Sequence, residues 1–233
     1  MVIAVLVVAV AFFCCKEWLF SIILAPSRDS FVTYPLIERL SGVPQHFRVD
    51  MFNPHLAQQF IVHMKASLCM GFLAVSPYVI FLLFHFISPA LYQSERRAAV
   101  CAVGGGYLMF LLGVALSYWL LFPLTFRFLG TYQVSGSIPN VIALEDYMSV
   151  MLLLCLLMGV FFELPVLSWL LAKMGLLRAD WMKRYRRHAI VVIFIVAAII
   201  TPTGDAFTLT VVSLPIYLLY ELSVFIVRRA NRT

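Results

Sequence analysis

The sequence predicts an all-α polytopic membrane protein, a single domain over residues 1–233 with six transmembrane helices. Of its 233 residues, 63% are hydrophobic and 12% are charged, whereas an average soluble domain is about 45–50% apolar and about 25% charged. The apolar residues also come in long runs, which is typical of membrane spans. This composition excludes a soluble globular enzyme, a nucleic-acid-binding module and a disordered linker.

Six apolar runs define the expected helices. They cover residues 1–15, 58–84, 98–122, 147–171, 189–201 and 206–227. The first and fifth runs are short, because at about 1.5 Å per residue they reach about 22 Å and about 20 Å, less than the ~30 Å of a hydrocarbon core. We expect the first helix to begin before Met1. Beside the fifth, we expect the bilayer to thin or flanking residues to snorkel.

The segments between the runs predict loops and one packing site. Residues 16–57 and 123–146 are polar and contain several prolines, so we expect long connections there. In the first of them we expect short helical pieces such as residues 34–40. Gly104, Gly105 and Gly106 lie inside the third run. Small residues at such positions allow helices to approach closely, which predicts a helix-packing site rather than a phosphate-binding loop.

The basic residues predict the orientation in the membrane. Six spans place both termini on one side, and that side collects 11 Lys and Arg residues against 5 on the other. Positive charge collects in cytoplasmic loops, so we expect both termini in the cytoplasm. The net charge of +6 is then a topology signal, and we expect no nucleic-acid partner.

The sequence gives little support for catalysis. No HExxH or GxSxG motif occurs, no span holds two aspartates, and the five cysteines form no CxxC. We therefore expect no enzyme activity, no metal and no cofactor. A small secondary transporter remains the alternative, although the internal repeats and multiple buried ionisable residues typical of such carriers are not found. Solute uptake by the protein alone would favour that alternative.

Four ordered segments resemble the TatC family, the multi-spanning subunit of the twin-arginine protein translocase. The segment 86–97 reads FISPALYQSERR, which is similar to the family's F-x-x-P-x-L-x-x-x-E-R-R. The others are SYWLLFPL at 117–124, FFELP at 161–165, and TPTGD at 201–205 followed by Pro215 and LYE at 219–221. Ala25-Pro26 also fits the family's segment after the first span. The resemblance covers about residues 12–227 and lacks the family's H-L-x-E-L-R-type segment before the first span.

The resemblance implies a receptor in the bacterial inner membrane, with its helices in a concave arrangement. It would bind twin-arginine signal peptides of folded proteins and organise single-span translocase subunits in homo- and hetero-oligomers. The proton motive force would drive export across the lipid bilayer.

The same resemblance places signal-peptide binding at the first cytoplasmic loop, on Glu95, Arg96, Phe86, Pro89 and Leu91. A carboxylate accepts two parallel hydrogen bonds from a guanidinium group, which suits Glu95 as an acceptor for a twin-arginine motif. The apolar residues beside it would seat the hydrophobic part of the peptide. The alternatives are a solvated charge cluster at Glu95, a topology charge at Arg96, and simple capping of the second span.

Four further residues are singled out. Glu163 is the most deeply placed carboxylate, and we expect it to meet a polar residue of a single-span partner; the alternative is a protonated acid bonded to a Ser or to a carbonyl freed by Pro165, which should bend the helix. Tyr118 would lie in the wall of the concave face. Pro26 and Asp205 would belong to a periplasmic cap, with helix N-capping as the alternative for Asp205.

Overall fold

The computed structural model describes residues 1–28, 31, 33–35, 50–87, 96–131, 141–201 and 205–231, without the side chains of 50, 83–87 and 96–102. In chain order the helices are α1 (Val2–Cys14), α2 (Lys16–Ile23), α3 (Gln58–Ile87), α4 (Arg96–Leu116), α5 (Phe122–Thr131), α6 (Leu144–Phe162), α7 (Leu164–Lys173), α8 (Ala179–Arg184), α9 (Arg186–Ile200) and α10 (Ala206–Ala230). A 3-10 turn covers Ala25–Ser27, and a π-helical turn covers Ser117–Leu121. Two short strands, β1 (Asp50–Phe52) and β2 (Val141–Ala143), pair in parallel with Asp50 opposite Val141.

The all-α class is confirmed, and the long helices coincide with the apolar runs. Within the described residues, four stretches are long and apolar enough to cross a membrane alone: Gln58–Leu82, Val103–Thr131, Leu144–Lys173 and Ala206–Ala230. Helices α1 and α2 meet this test only as a pair, with a bend of 91° between them. Helix α9 has 15 residues, which reach about 22 Å. The count of six spans therefore stays a prediction.

Parts of both predicted connections are helical. Short helical pieces were expected in the first connection, although not at residues 16–23. Helix α2 forms at the start of the first long connection, where Leu19 and Ile23 are buried while Trp18 is exposed, so a short amphipathic pattern suffices. Helix α5 begins at Phe122 and has Pro123 as its second residue. Proline is tolerated in the first turn of a helix because the missing N–H has no partner there. The predicted end of the third helix at residue 122 was therefore about nine residues short.

The chain divides into two compact units. The first consists of Met1–Val75 and Ala115–Leu156. In it, α1 packs on α3 where Gly71 leaves room: a Cβ at Gly71 would lie 2.9 Å from the Cβ of Ala9. Nearby, the rings of Phe13 and His63 stack with their centroids 4.1 Å apart. These contacts fix α1 against the first half of α3.

The second unit consists of Ser76–Val114 and Leu157–Thr233. Its close helix approach uses glycines other than the predicted ones. A Cβ at Gly113 of α4 would lie 2.5 Å from the Met158 carbonyl oxygen of α6, and one at Gly159 would lie 2.7 Å from the Phe110 ring. By contrast, Cβ atoms at Gly104 and Gly105 would meet nothing within 4 Å. Among the described residues, Gly104 and Gly105 therefore take no part in a close helix approach, contrary to the prediction.

Candidate functional site

Two of the five predicted signal-peptide residues lie at the two ends of the connection between α3 and α4. Phe86 lies in the last turn of α3, and Arg96 is the first residue of α4. Pro89, Leu91 and Glu95 lie outside the described residues, as do the side chains of Phe86 and Arg96. The backbone thus places the motif between two long apolar helices.

A cluster of tyrosines closes the C-terminal end of α2. The Tyr147 hydroxyl of α6 donates a 2.9 Å hydrogen bond to the Ile23 carbonyl, and the Tyr118 hydroxyl donates one of 2.6 Å to the Ile22 carbonyl. The last carbonyls of a helix have no partner within it. The Ile22 carbonyl also accepts a backbone N–H where the helix ends, so Tyr118 adds a second bond there, while Tyr147 supplies the bond to the Ile23 carbonyl. We call Tyr118 and Tyr147 with these two carbonyls the α2 cap.

Pro26 lies directly after the α2 cap. It is buried in the 3-10 turn, and its carbonyl accepts a hydrogen bond from the Tyr34 hydroxyl. The Tyr34 ring in turn lies 5.6 Å from the guanidinium carbon of Arg127, in cation–π geometry. Thr33 donates to the Trp119 carbonyl beside it. Pro26 and Tyr118 are thereby parts of one hydrogen-bonded assembly in the first unit.

The same unit contains an ion pair between α3 and α6 that was not expected from the sequence. Glu145, in the first turn of α6, accepts hydrogen bonds from the Lys65 ammonium at 2.7 Å and from the Gln58 amide at 3.0 Å. Both partners belong to α3. The sequence offered only a weak signal, since Lys65 stood alone inside an apolar run and its partner is 80 residues away.

Glu163 is a buried carboxylate of the second unit. It lies at the break between α6 and α7, where Pro165 is the second residue of α7, so the predicted interruption of the helix is confirmed. The side chain is 9% exposed, and neither carboxyl oxygen has a hydrogen-bond partner among the described residues. The alternative of a bond to a neighbouring Ser or freed carbonyl therefore has no support there. Leaving such a group unpaired costs about 1–3 kcal/mol, and more when it is charged.

Asp205 caps α10. Its carboxylate accepts a 2.7 Å hydrogen bond from the Thr208 backbone N–H and a 2.6 Å one from the Thr208 hydroxyl. A side-chain acceptor three residues before an otherwise unpaired N–H is the usual arrangement of an N-cap. The structural alternative for Asp205 is therefore confirmed.

Glu221 also has partners within the chain. The Arg186 guanidinium of α9 lies 2.6 Å from its carboxylate, and the Tyr217 hydroxyl lies 3.3 Å away. Arg186 and Glu221 are 35 residues apart in the sequence, so the sequence alone did not indicate this pair. Its ion pair ties α9 to α10.

The described residues hold no group of three or more His, Cys, Asp and Glu side chains that could bind a metal ion. What they offer is a buried carboxyl group in the second unit and a hydrogen-bonded cap in the first. Neither arrangement pairs a nucleophile with a base.

Comparison with known proteins identifies the family. Residues 1–215 match the family described as Sec-independent protein translocase protein (TatC). The TatC protein of Koribacter versatilis is 34% identical over 205 residues, which are 87% of this chain and 74% of that protein. The TatC protein of Aquifex aeolicus is 30% identical over 226 residues, which are 96% of this chain and 86% of that protein.

Solved structures agree with this assignment. A crystal structure of the twin-arginine translocase receptor TatC matches with a TM-score of 0.83 and 29% identity, covering 99% of this chain and 94% of that chain. A second structure of the same receptor, in DDM, matches with a TM-score of 0.81 and 29% identity, covering 96% and 92%. This chain therefore belongs to the TatC family of Sec-independent protein translocase proteins.

Proposed function

We propose that this chain is the receptor and core subunit of a twin-arginine translocase, which binds the signal peptides of folded proteins and organises their export. The observation that carries the proposal is the joint match of the family over residues 1–215 and of the twin-arginine receptor structure over 99% of the chain. The alternative of a small secondary transporter loses its support, because the family is one of protein translocase subunits.

The signal peptide binds at residues 86–97. Glu95 accepts hydrogen bonds from the arginine pair, since a carboxylate and a guanidinium can form two parallel bonds. The apolar part of the peptide contacts Phe86, Pro89 and Leu91. Arg96 places a positive charge next to Glu95 in the same loop. Support comes from the sequence motif and from its position between α3 and α4.

The protein lies in the bacterial inner membrane with both termini in the cytoplasm. Support comes from the basic residues, which favour the cytoplasmic side. In the second unit, the last turns of α7 and α10 contain Lys173, Arg228 and Arg229. Hydrogen bonds join this end of α10 to the 177–182 segment, from the Asn231 amide to the Leu177 carbonyl and from the Tyr220 hydroxyl to the Met182 carbonyl. The basic ends therefore lie on one side of the unit.

Glu163 docks a single-span partner subunit. Support comes from its burial and its two carboxyl oxygens without a partner in the described chain. A polar group on the membrane helix of the partner would satisfy them. Such a hydrogen bond between helices is worth about 1 kcal/mol and fixes the register of the two helices.

The test of the receptor function is peptide binding to the purified full chain. A fluorescent twin-arginine signal peptide is titrated against the parent protein, Glu95→Ala and Glu95→Gln, and a Lys-Lys peptide is the second ligand. Loss of a charge-assisted hydrogen bond costs about 1.5–3 kcal/mol, so we expect Glu95→Ala to weaken binding by about tenfold or more. Glu95→Gln should be intermediate, and the Lys-Lys peptide should bind more weakly to the parent.

The matched control is Glu17→Ala, which removes an exposed carboxylate at the start of α2. Equal affinity of the parent and Glu95→Ala for the Arg-Arg peptide would show that Glu95 is not the acceptor. Absence of any preference for the Arg-Arg peptide would overturn the receptor function itself.

A further inference from the structure

A pocket lies where the C-terminal ends of α7 and α10 meet. It has a volume of about 310 Å³ and is lined by Trp169, Lys173, Phe225, Ile226, Arg229 and Ala230. All six residues belong to the second unit. The pocket combines two cationic side chains with an apolar lining, and neither the receptor function nor the docking of a partner at Glu163 uses it.

The spacing along the two helices separates the apolar part of the pocket from its charged part. Trp169 and Lys173 are four residues apart on α7, and Phe225 and Arg229 are four residues apart on α10. Residues four apart lie on one face of a helix, one turn above the other. On both helices the aromatic residue is therefore one turn deeper in the span, and the cation is at its end. A phospholipid has the same arrangement, because its acyl chains lie deeper in the bilayer than its charged head group.

The walls of the pocket are held in place by the packing behind it. Val227 is fully buried against Ala172 and Ala179, and Leu177 and Ala230 pack on this cluster. The ends of α7 and α10 are thereby fixed relative to each other. A ligand would meet a formed pocket and would not have to bring the two helices together.

The charge at this end of the unit favours an anion. The C-terminal end of a helix carries a partial charge of about −0.5, so two helix ends together oppose an anion with about one unit of charge. The last turns supply three cations, Lys173, Arg228 and Arg229. Within residues 164–200 and 206–231 the acids are Asp180 and Glu221, and Glu221 is engaged by Arg186. The net charge of these two segments is therefore positive.

We propose that this pocket binds an anionic phospholipid of the bilayer, with the phosphate between Lys173 and Arg229 and the upper part of an acyl chain along Trp169, Phe225 and Ile226. Basic pockets between transmembrane helices bind anionic lipid head groups, and tryptophan is enriched at the level of the head groups. The two helix ends are held together behind the pocket, so the bound lipid covers the seam between α7 and α10.

The first experiment measures lipid retention by native mass spectrometry of the purified full chain in detergent. Phosphatidylglycerol is compared with phosphatidylcholine for the parent protein and for the double variant Lys173→Gln/Arg229→Gln. One cation near an anionic lipid surface contributes about 1 kcal/mol, a factor of about five. We therefore expect the double variant to retain phosphatidylglycerol at least tenfold more weakly and phosphatidylcholine unchanged.

The matched control is Arg178→Gln/Arg184→Gln, which removes the same charge from the same basic end without touching the pocket lining. Retention of phosphatidylglycerol by this control should stay near that of the parent. Equal losses in the two double variants would show a diffuse electrostatic effect and would overturn the proposed site.

A second measurement distinguishes a lipid from a free phosphate and leaves both cations of the pocket, Lys173 and Arg229, in place. Phosphatidylglycerol with brominated acyl chains should quench the fluorescence of Trp169, so the quenching should be smaller in Trp169→Phe, which keeps the exposed Trp18, Trp119 and Trp181. Glycerol phosphate, the head group alone, should compete poorly because it cannot occupy the apolar lining. Unchanged quenching in Trp169→Phe, or full competition by glycerol phosphate, contradicts an acyl chain in this pocket.

Discussion

The Tyr147 hydroxyl donates a hydrogen bond of 2.9 Å to the Ile23 carbonyl, 124 residues away in the sequence. Together with the bond from Tyr118 to the Ile22 carbonyl, it satisfies two successive carbonyls at the end of α2. The Tyr147 ring also packs edge-on against Phe122 and Phe126, with both centroids 5.0 Å away. The α2 cap therefore joins α2, the π-helical turn, α5 and α6 through one pair of phenol groups.

The α2 cap predicts the effect of removing single hydroxyls. Tyr147→Phe keeps the ring packing and loses one hydrogen bond, so we expect the free energy of unfolding to fall by about 1 kcal/mol. The double variant with Tyr118→Phe should lose more, because the second side-chain hydrogen bond to the end of α2 is then also removed, although the Ile22 carbonyl keeps its backbone N–H. The measurement is denaturant unfolding of the purified protein in detergent. Tyr78→Phe, at an exposed position of α3, is the control, and equal stability of it and Tyr147→Phe would contradict the role of the cap.

Glycine packing gives a second prediction with a control inside the same helix. Gly113→Ala places a methyl group 2.5 Å from the backbone oxygen of Met158, which cannot rotate away, so α4 and α6 must separate. Such overpacking costs about 1–3 kcal/mol. Gly104→Ala meets open space and should be neutral or slightly stabilising, because alanine is the better helix former. If thermal unfolding in detergent gives both variants the same midpoint, the close approach at Gly113 is wrong.

These glycines show where sequence reasoning reached its limit. A run of three glycines inside an apolar segment is a visible signal, while Gly113 and Gly159 are single residues in helical runs. Whether a small residue faces a neighbouring helix depends on the helix pairing, and the sequence alone does not contain that pairing. For the same reason, the sequence did not predict the bond between Lys65 and Glu145. It also did not predict the pairing of β1 with β2, which are only three residues long each.

Local chemistry, by contrast, could be predicted. Asp205 three residues before an N–H of α10 is an N-cap by spacing alone, and Pro165 interrupts the helix because it lacks an N–H. The depth of Glu163 in an apolar run was also visible before the structure. Its lack of a partner required knowledge of the surrounding side chains, so the sequence left two alternatives open.

The orientation is tested by cysteine labelling in a variant whose five native cysteines are replaced. Ser94→Cys and Arg184→Cys should react with a membrane-impermeant reagent from the cytoplasmic side, and Gly42→Cys and Gly136→Cys from the opposite side. The physical reason is the excess of basic residues on the first side. Labelling of Gly42→Cys from the cytoplasm would reverse the proposed orientation.

The short helix α9 predicts a dependence of export on hydrophobic length. Its 15 residues reach about 22 Å against a core of ~30 Å, so the bilayer should be thinner beside it. Insertion of four leucines after Ile195 adds about 6 Å and should impair export of a twin-arginine cargo. Size-exclusion chromatography checks that the variant remains folded. Normal export by the folded variant would remove hydrophobic mismatch from the mechanism.

Glu163 gives the prediction that bears most directly on assembly. Both of its carboxyl oxygens are buried and have no hydrogen-bond partner in the described chain, and an unpaired polar group in that position is costly. If a polar group of a single-span subunit satisfies it, Glu163→Gln should retain most of the docking, because the amide keeps the shape and can still hydrogen-bond. Glu163→Leu removes the hydrogen-bonding group and should weaken docking and export together.

The two outcomes separate docking from stability. If Glu163 has no partner in the assembled translocase, Glu163→Leu removes a buried unsatisfied group, so the variant should be more stable and should still bring down the single-span subunit during purification. If the partner satisfies Glu163, the isolated Leu variant should again be at least as stable as the parent, but co-purification of the subunit should fall by about fivefold, the factor that corresponds to about 1 kcal/mol for a hydrogen bond between helices. Thermal unfolding of the isolated chain and co-purification of the subunit, measured on the same preparations, therefore decide between the two. Retention of the subunit and normal export in Glu163→Leu would make Glu163 a tolerated buried acid rather than the docking residue.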